Sequence, residues 1–263
     1  MTVHFIGAGP GAADLLTVRA VRLLAASPVC VYAGTYLDAA VLAHCPADAT
    51  LIDSAGLSLD EITGHLVAAH AAGRDVARLC SGDPSLYSAV AEQARRLDRA
   101  GVPWDVTPGV PAYAAAAAIL GRELTVPEVA QTVILTRTQA ASTAMPGAES
   151  LDRLAATGAT LVLHLAIRRA GELAERLAHH YGPDCPVAVV SRASQPDQLV
   201  LRGTLADIGE QVESAGLRQA AVIIVGPALA AEGFADSHLY GTRIARRRST
   251  DAVVTDLGDE IIR

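Results

Sequence analysis

Val3-His4-Phe5-Ile6-Gly7-Ala8-Gly9-Pro10-Gly11, followed by Ala12-Ala13-Asp14-Leu15-Leu16-Thr17, is the stretch that decides the fold. A short apolar run stops at a cluster of small residues, and a helical pattern begins at once. That order predicts a buried strand, a tight turn and a helix, the usual first unit of a nucleotide-binding α/β domain. Glycine in such a turn lets backbone come close to a ligand. Gly7-x-Gly9-x-x-Ala12 also satisfies a loose dinucleotide fingerprint, as would any strand-to-helix turn that needs small residues. Two features count against NAD. Pro10 has no N–H to offer a pyrophosphate, inside the loop whose amides should bind it. The second predicted strand, residues 28–34, ends without the acidic residue expected to hold a ribose.

Composition narrows the class. At 263 residues the chain exceeds one average domain. Half of it is apolar but only 3% is aromatic, so the core must be Ala, Val, Leu and Ile. This suits parallel strands buried on both faces. No apolar run reaches the ~18 residues of a membrane helix, so no membrane partner is expected. The N-terminus has no basic region followed by a cleavable apolar stretch, and nothing points to secretion. Cys30, Cys45, Cys80 and Cys185 are scattered without a CxxC, which predicts reduced thiols, a cytoplasmic setting and no zinc site. A net charge of −7 disfavours nucleic acid as a partner. All 21 basic residues are Arg. The absence of lysine excludes Schiff-base chemistry, a pyridoxal phosphate anchor and a P-loop lysine.

Along the first half, strands are predicted at residues 50–54, 75–80 and 104–107. A helix capped by Ser58 runs to about residue 72, and others cover about 86–100 and 112–120. Three strand ends carry Gly/Pro turns, at residues 7–11, 81–85 and 108–111. In an open α/β sheet such turns share the carboxyl edge, where ligands sit. Asp83 is the only charge among them and can accept hydrogen bonds from a ribose or an ammonium, though Asp before Pro also favours a solvated turn. Residues 121–128 look like a linker. Beyond it, strands are predicted at 132–136, 159–165, 186–192, 199–204 and 220–225, with helices near 150–157, 169–180 and 205–215. The 199–204 strand follows a short turn, which makes a hairpin and therefore a mixed sheet. The expected fold class is α/β: a mostly parallel N-terminal domain over 1–121, a mixed C-terminal domain over 131–230, and a ligand cleft between them. Residues 137–149 read as a mobile loop over that cleft, 231–263 as a tail, and 243–248 as a solvated basic run.

Gly7-Ala8-Gly9-Pro10-Gly11, Tyr32-Ala33-Gly34, Ser81-Gly82-Asp83-Pro84-Ser85-Leu86-Tyr87, Pro108-Gly109-Val110 and Gly203-Thr204-Leu205-Ala206-Asp207-Ile208 together resemble the tetrapyrrole methylases, which use S-adenosylmethionine. The match runs in order across most of the chain. Leu124-Thr125-Val126-Pro127-Glu128-Val129-Ala130-Gln131-Thr132 with Leu135-Thr136-Arg137 is similar to members that methylate C11 of precorrin-4 in cobalamin synthesis. The resemblance implies two α/β domains with the cofactor in the cleft, and a homodimer. Carried over by position, it implies that Pro10 closes one side of the cofactor site. Ser81, Gly82, Asp83 and Leu86 would line the middle, with Ala112 beyond the third turn. Leu165, Ala193 and Ala221 would supply the second domain's contacts.

The implied substrate is a tetrapyrrole polycarboxylate, which suits arginine through bidentate pairing. Arg137, Arg168 and Arg192, each at a predicted strand end, are the candidates. Residues 139–145 lack the Gly-Arg-Thr of relatives acting on the cobalt-containing intermediate, which leans towards the metal-free one. No metal and no covalent enzyme intermediate are expected. A sulfonium methyl is already activated, so alignment, worth roughly 7–11 kcal/mol, carries most of the catalysis. No catalytic side chain emerges, since His4 and His164 fall on strands, where packing is the commoner role. Methylation of another ring carbon (of uroporphyrinogen, another precorrin or the cobalt analogue), of RNA, or a nucleotide-sensing role without catalysis are the alternatives.

Overall fold

Val-, Leu- and Ile-rich runs form two five-stranded sheets in the computed structural model, which describes residues 1–34, 37–138 and 144–236. Most of the 139–145 segment and the basic 243–248 run lie outside the described residues. The first sheet contains β1 (Val3–Gly7), β2 (Val29–Tyr32), β3 (Thr50–Asp53), β4 (Val76–Cys80) and β5 (Trp104–Thr107). Its order is β3-β2-β4-β1-β5, and every neighbouring pair is parallel. Parallel neighbours require crossovers. These include α1 (Val18–Ala26), α2 (Ala39–Leu42), α3 (Leu59–Ala71) and α4 (Val90–Arg99). The central strands are apolar on both sides for this reason. Val3, Phe5 and Val76 pack under Leu66 of α3 and Leu97 of α4. Ile6, Ala77 and Leu79 pack with Leu24 of α1 on the other face.

Ser58 caps α3 as expected, its hydroxyl accepting from Glu61 N at 3.2 Å while Glu61 accepts from Ser58 N at 2.8 Å. Two helix starts differ from expectation. The helix after the first glycine turn does not begin at once, because residues 12–17 stay extended apart from a 3-10 turn over Ala13–Leu15. It begins at Val18, capped by the Thr17 hydroxyl accepting from Ala20 N at 3.1 Å. The N-terminus of α1 is therefore displaced from the first glycine turn, where a diphosphate-binding unit would place it directly on the glycines. The helix expected from residue 86 begins only at Val90, since Tyr87 and Ala89 are left-handed (φ 53° and 50°).

The second sheet contains β6 (Val133–Arg137), β7 (Thr160–His164), β8 (Pro186–Ser191), β9 (Leu199–Thr204) and β10 (Ala221–Val225), in the order β6-β7-β10-β8-β9. Only β6 and β7 are parallel; β8 and β9 form the expected hairpin, so the sheet is mixed. One face is covered by α7 (Ala170–Tyr181) and α8 (Ile208–Ser214), with Leu173, Leu177 and Ile208 on Leu163 and Ile223. The other face is covered by α5 (Ala112–Leu120), whose Ala115, Ala116 and Leu120 meet Val162, Val190 and Ile224. Thus α5 continues directly from the first sheet's last strand yet joins the core of the second. A short helix, α6 (Leu151–Ala155), flanks α7. Cys30, Cys45, Cys80 and Cys185 are all free thiols. Among the described residues no helix is long and apolar enough to cross a membrane.

Candidate active site

Because β4, β1 and β5 are adjacent, their carboxyl ends bring the three Gly/Pro turns side by side. Gly82 N donates to Gly9 O at 2.8 Å, and Gly9 N donates to Gly82 O at 3.2 Å. A Cβ on Gly7 would lie 2.4 Å from Gly109 N and 2.8 Å from Gly82 O. One on Gly109 would lie 2.3 Å from Gly82 O and 2.8 Å from Gly7 Cα. The three turns therefore touch backbone to backbone and form a collar that only glycine permits.

Asp83 fastens this collar. One carboxylate oxygen accepts from Gly109 N at 2.9 Å, and the other accepts from Ser85 N at 2.9 Å and from the Ser85 hydroxyl. Partial burial works to raise its pKa, but the Ser85 hydroxyl and the Gly109 and Ser85 amides outweigh it and hold the carboxyl below its ordinary range. The residue expected to meet a ligand is thus first a clasp between two turns.

Between the collar and the second sheet lies a cavity of about 610 Å³ lined from both halves of the chain. Pro10, Ser81, Gly82, Asp83, Leu86 and Ala112 line it from one side, and Leu165, Ala193 and Ala221 from the other. All nine positions singled out for a cofactor share this wall. Ala12 N donates to Ser194 Oγ at 3.1 Å and Gln195 Nε2 to Pro10 O at 3.3 Å, which ties the first turn to the loop after β8. A groove of about 660 Å³ between α3 and α4 shares no residue with the collar.

Of the three arginines, Arg168 and Arg192 line the cavity, whereas Arg137, at the end of β6, is not among its lining residues. Arg192 pairs with Asp197 at 3.0 Å, and Arg168 Nε donates to Arg218 O at 3.1 Å. The wall also holds residues that sequence reasoning did not assign to it: Tyr87, His164, Gln195 and Arg218. Several wall or loop residues are non-glycine yet left-handed, including Tyr87, Leu165, Arg192 and Ala220 (φ 53°, 54°, 46° and 55°). Such strain concentrates at functional sites. At Leu165 it drives an apolar side chain into the open, 71% exposed.

The wall combines small apolar side chains beside the collar with Asp83 and with Arg78, Arg168, Arg169, Arg192 and Arg218, so it offers an apolar seat and charged groups of both signs to a small molecule.

A two-lobed α/β chain with a glycine collar at the mouth of an inter-lobe cavity is built to hold a small molecule. The chain belongs to the tetrapyrrole (corrin/porphyrin) methylases, whose family model matches residues 2–209. It is 61% identical over 250 residues to the precorrin-4 C(11)-methyltransferase of Rhodococcus erythropolis, covering 95% of this chain and 100% of that one. Among solved structures it resembles a cobalt precorrin-4 methyltransferase of cobalamin biosynthesis, with TM-score 0.83 and 35% identity over 87% of this chain and 95% of the other. It also resembles the uroporphyrin-III C-methyl transferase of Thermus thermophilus in complex with S-adenosylhomocysteine, with TM-score 0.73 and 29% identity over 88% and 99% of the two chains.

Proposed function

We propose that the chain moves a methyl group from S-adenosylmethionine to C11 of metal-free precorrin-4, giving precorrin-5 on the route to cobalamin. The observation that carries this is the common cavity wall shared by all nine cofactor positions, from turns that only small residues can build. The relative at 61% identity is named for precorrin-4 itself, and the cobalt enzyme stands at 35%. That difference favours the metal-free macrocycle.

The donor supplies a methyl already activated on a sulfonium. The collar and Pro10 would fix its position, Asp83 would favour its positive charge, and Leu165, Ala193 and Ala221 would hold its flat part. Binding in the cleft between the lobes would align the two reactants, the effect worth roughly 7–11 kcal/mol. Arg168 would receive a macrocycle carboxylate; Arg192, already paired with Asp197, and Arg137, outside the lining, are expected to contribute less. The proposal includes a cytoplasmic setting, in keeping with four free thiols, and a homodimer carried over from the family resemblance.

The test is incubation with precorrin-4 and carbon-13-labelled donor, followed by mass spectrometry and carbon NMR of the product. One added methyl at C11 is expected; a methyl on another ring carbon, or none, overturns the assignment. Arg168→Gln should raise KM for the macrocycle about tenfold while calorimetric affinity for S-adenosylhomocysteine stays unchanged. Equal loss of both would remove Arg168 from substrate binding. Sedimentation of the purified chain tests the dimer.

A further inference from the structure

The two strand histidines have different surroundings. His4 Nδ1 hydrogen-bonds the Asp105 carboxylate on the adjacent β5 at 2.9 Å. His164, the last residue of β7, lines the cavity instead. Its Nε2 is enclosed and has no hydrogen-bond partner among the described residues. Its ring meets that of Tyr87 from the opposite side of the cavity, with centroids 5.5 Å apart and planes inclined by 50°. Buried polar atoms are normally satisfied, so an orphan at a ligand cavity leaves a hydrogen-bonding position open to a ligand.

We propose that His164 is a catalytic residue of the methyl transfer, the acceptor of the proton that the macrocycle gives up. This rests on the function proposed above. The reacting ring carbon gives its electron pair to the methyl carbon, and the methyl–sulfur bond breaks with its pair left on sulfur. The conjugated ring then carries one excess positive charge. That charge is discharged when a ring N–H proton passes to Nε2 of His164, and the imidazolium later yields it to water. Tyr87, held left-handed, is the cover that must yield for the ring to approach.

Burial lowers the His164 pKa, so the imidazole is neutral and able to accept at pH 7. The titratable and charged groups about it are Tyr87 from the loop before α4, Arg137 in register on β6, Arg168 in the following turn and Asp83 across the cavity. On its other side β10 carries no titratable residue.

His164→Phe, which keeps a ring against Tyr87, and His164→Asn test the assignment. Both should keep S-adenosylhomocysteine affinity within about twofold of wild type, while kcat falls about 10²–10⁴-fold. Wild-type kcat should fall on the acid side, below the ordinary histidine range, and the variants should lose that limb. In carbon-13 histidine NMR, the signal missing from His164→Asn should move when precorrin-4 is added to wild type loaded with S-adenosylhomocysteine. A variant kcat within about threefold of wild type with the acid limb intact, or a His164 signal that does not move, overturns the proposal. If wild type methylates a different reduced tetrapyrrole, the C11 assignment falls, and the same comparison on that substrate still decides His164.

Discussion

Gly109→Ala is expected to remove S-adenosylhomocysteine binding, with affinity lost by at least about 100-fold, and to lower the melting temperature by several degrees. The added methyl would sit 2.3 Å from Gly82 O and 2.8 Å from Gly7 Cα. Both neighbours are backbone, Gly7 at the end of β1 and Gly82 in the turn after β4, so relief requires the turn after β5 to draw away from both. Overpacking of this kind costs about 1–3 kcal/mol where the surroundings relax. At roughly 2–4 °C per kcal/mol for a chain of this size, calorimetry resolves it. The binding loss should exceed the stability loss, because the parted turns are themselves the cavity wall. Gly64→Ala is the control: nothing lies within 4 Å of its added Cβ in α3, and it should stabilise by about 0.5–1 kcal/mol. Wild-type binding by Gly109→Ala would show that the collar is not required.

Asp83→Ala should weaken S-adenosylhomocysteine at least about tenfold and destabilise the fold by about 1–3 kcal/mol together, because it strands the Gly109 amide. A residue that only touched ligand would lose binding and leave stability unchanged, and that outcome would restore the simpler expectation. The pH dependence adds a second check. The folded pKa of Asp83 is depressed, so its contribution is present above the ordinary carboxylate range and is lost as pH falls through the lower folded value. The stability gap between wild type and Asp83→Ala should therefore close as the solution is acidified. A constant gap down to full protonation would deny the carboxylate its clasp.

The sheets, the hairpin and the collar were legible because each has a local chemical signal. Apolar runs mark the strands, Gly and Pro mark the turns, and the short 193–198 connection forces β8 and β9 to be antiparallel. What stayed hidden depends on nonlocal packing. Nothing in the identity of Tyr87 or Leu165 announces a left-handed backbone; tertiary contacts impose it. His164 reads like His4 in sequence, since both sit on strands with apolar neighbours. Only the sheet order sends one to the Asp105 carboxylate and the other to the cavity. Arg137 and Arg168 likewise share a strand-end pattern, yet only the latter lines the cavity. The late starts of α1 and α4 come from the turns before them, which stay extended or left-handed to reach across the crevice.

The seat of α5 on the far sheet means that the two halves of this molecule are spliced together, not merely linked. A fragment beginning after residue 121 would bare Val162, Val190 and Ile224, and one ending there would carry an orphan apolar helix. The segment between Thr107 and Ala112 is consequently anchored at both ends in different lobes. Any rocking of one lobe against the other would pull on that strap and resize the donor's berth, so opening for product release and loosening of the sulfonium seat would be a single movement.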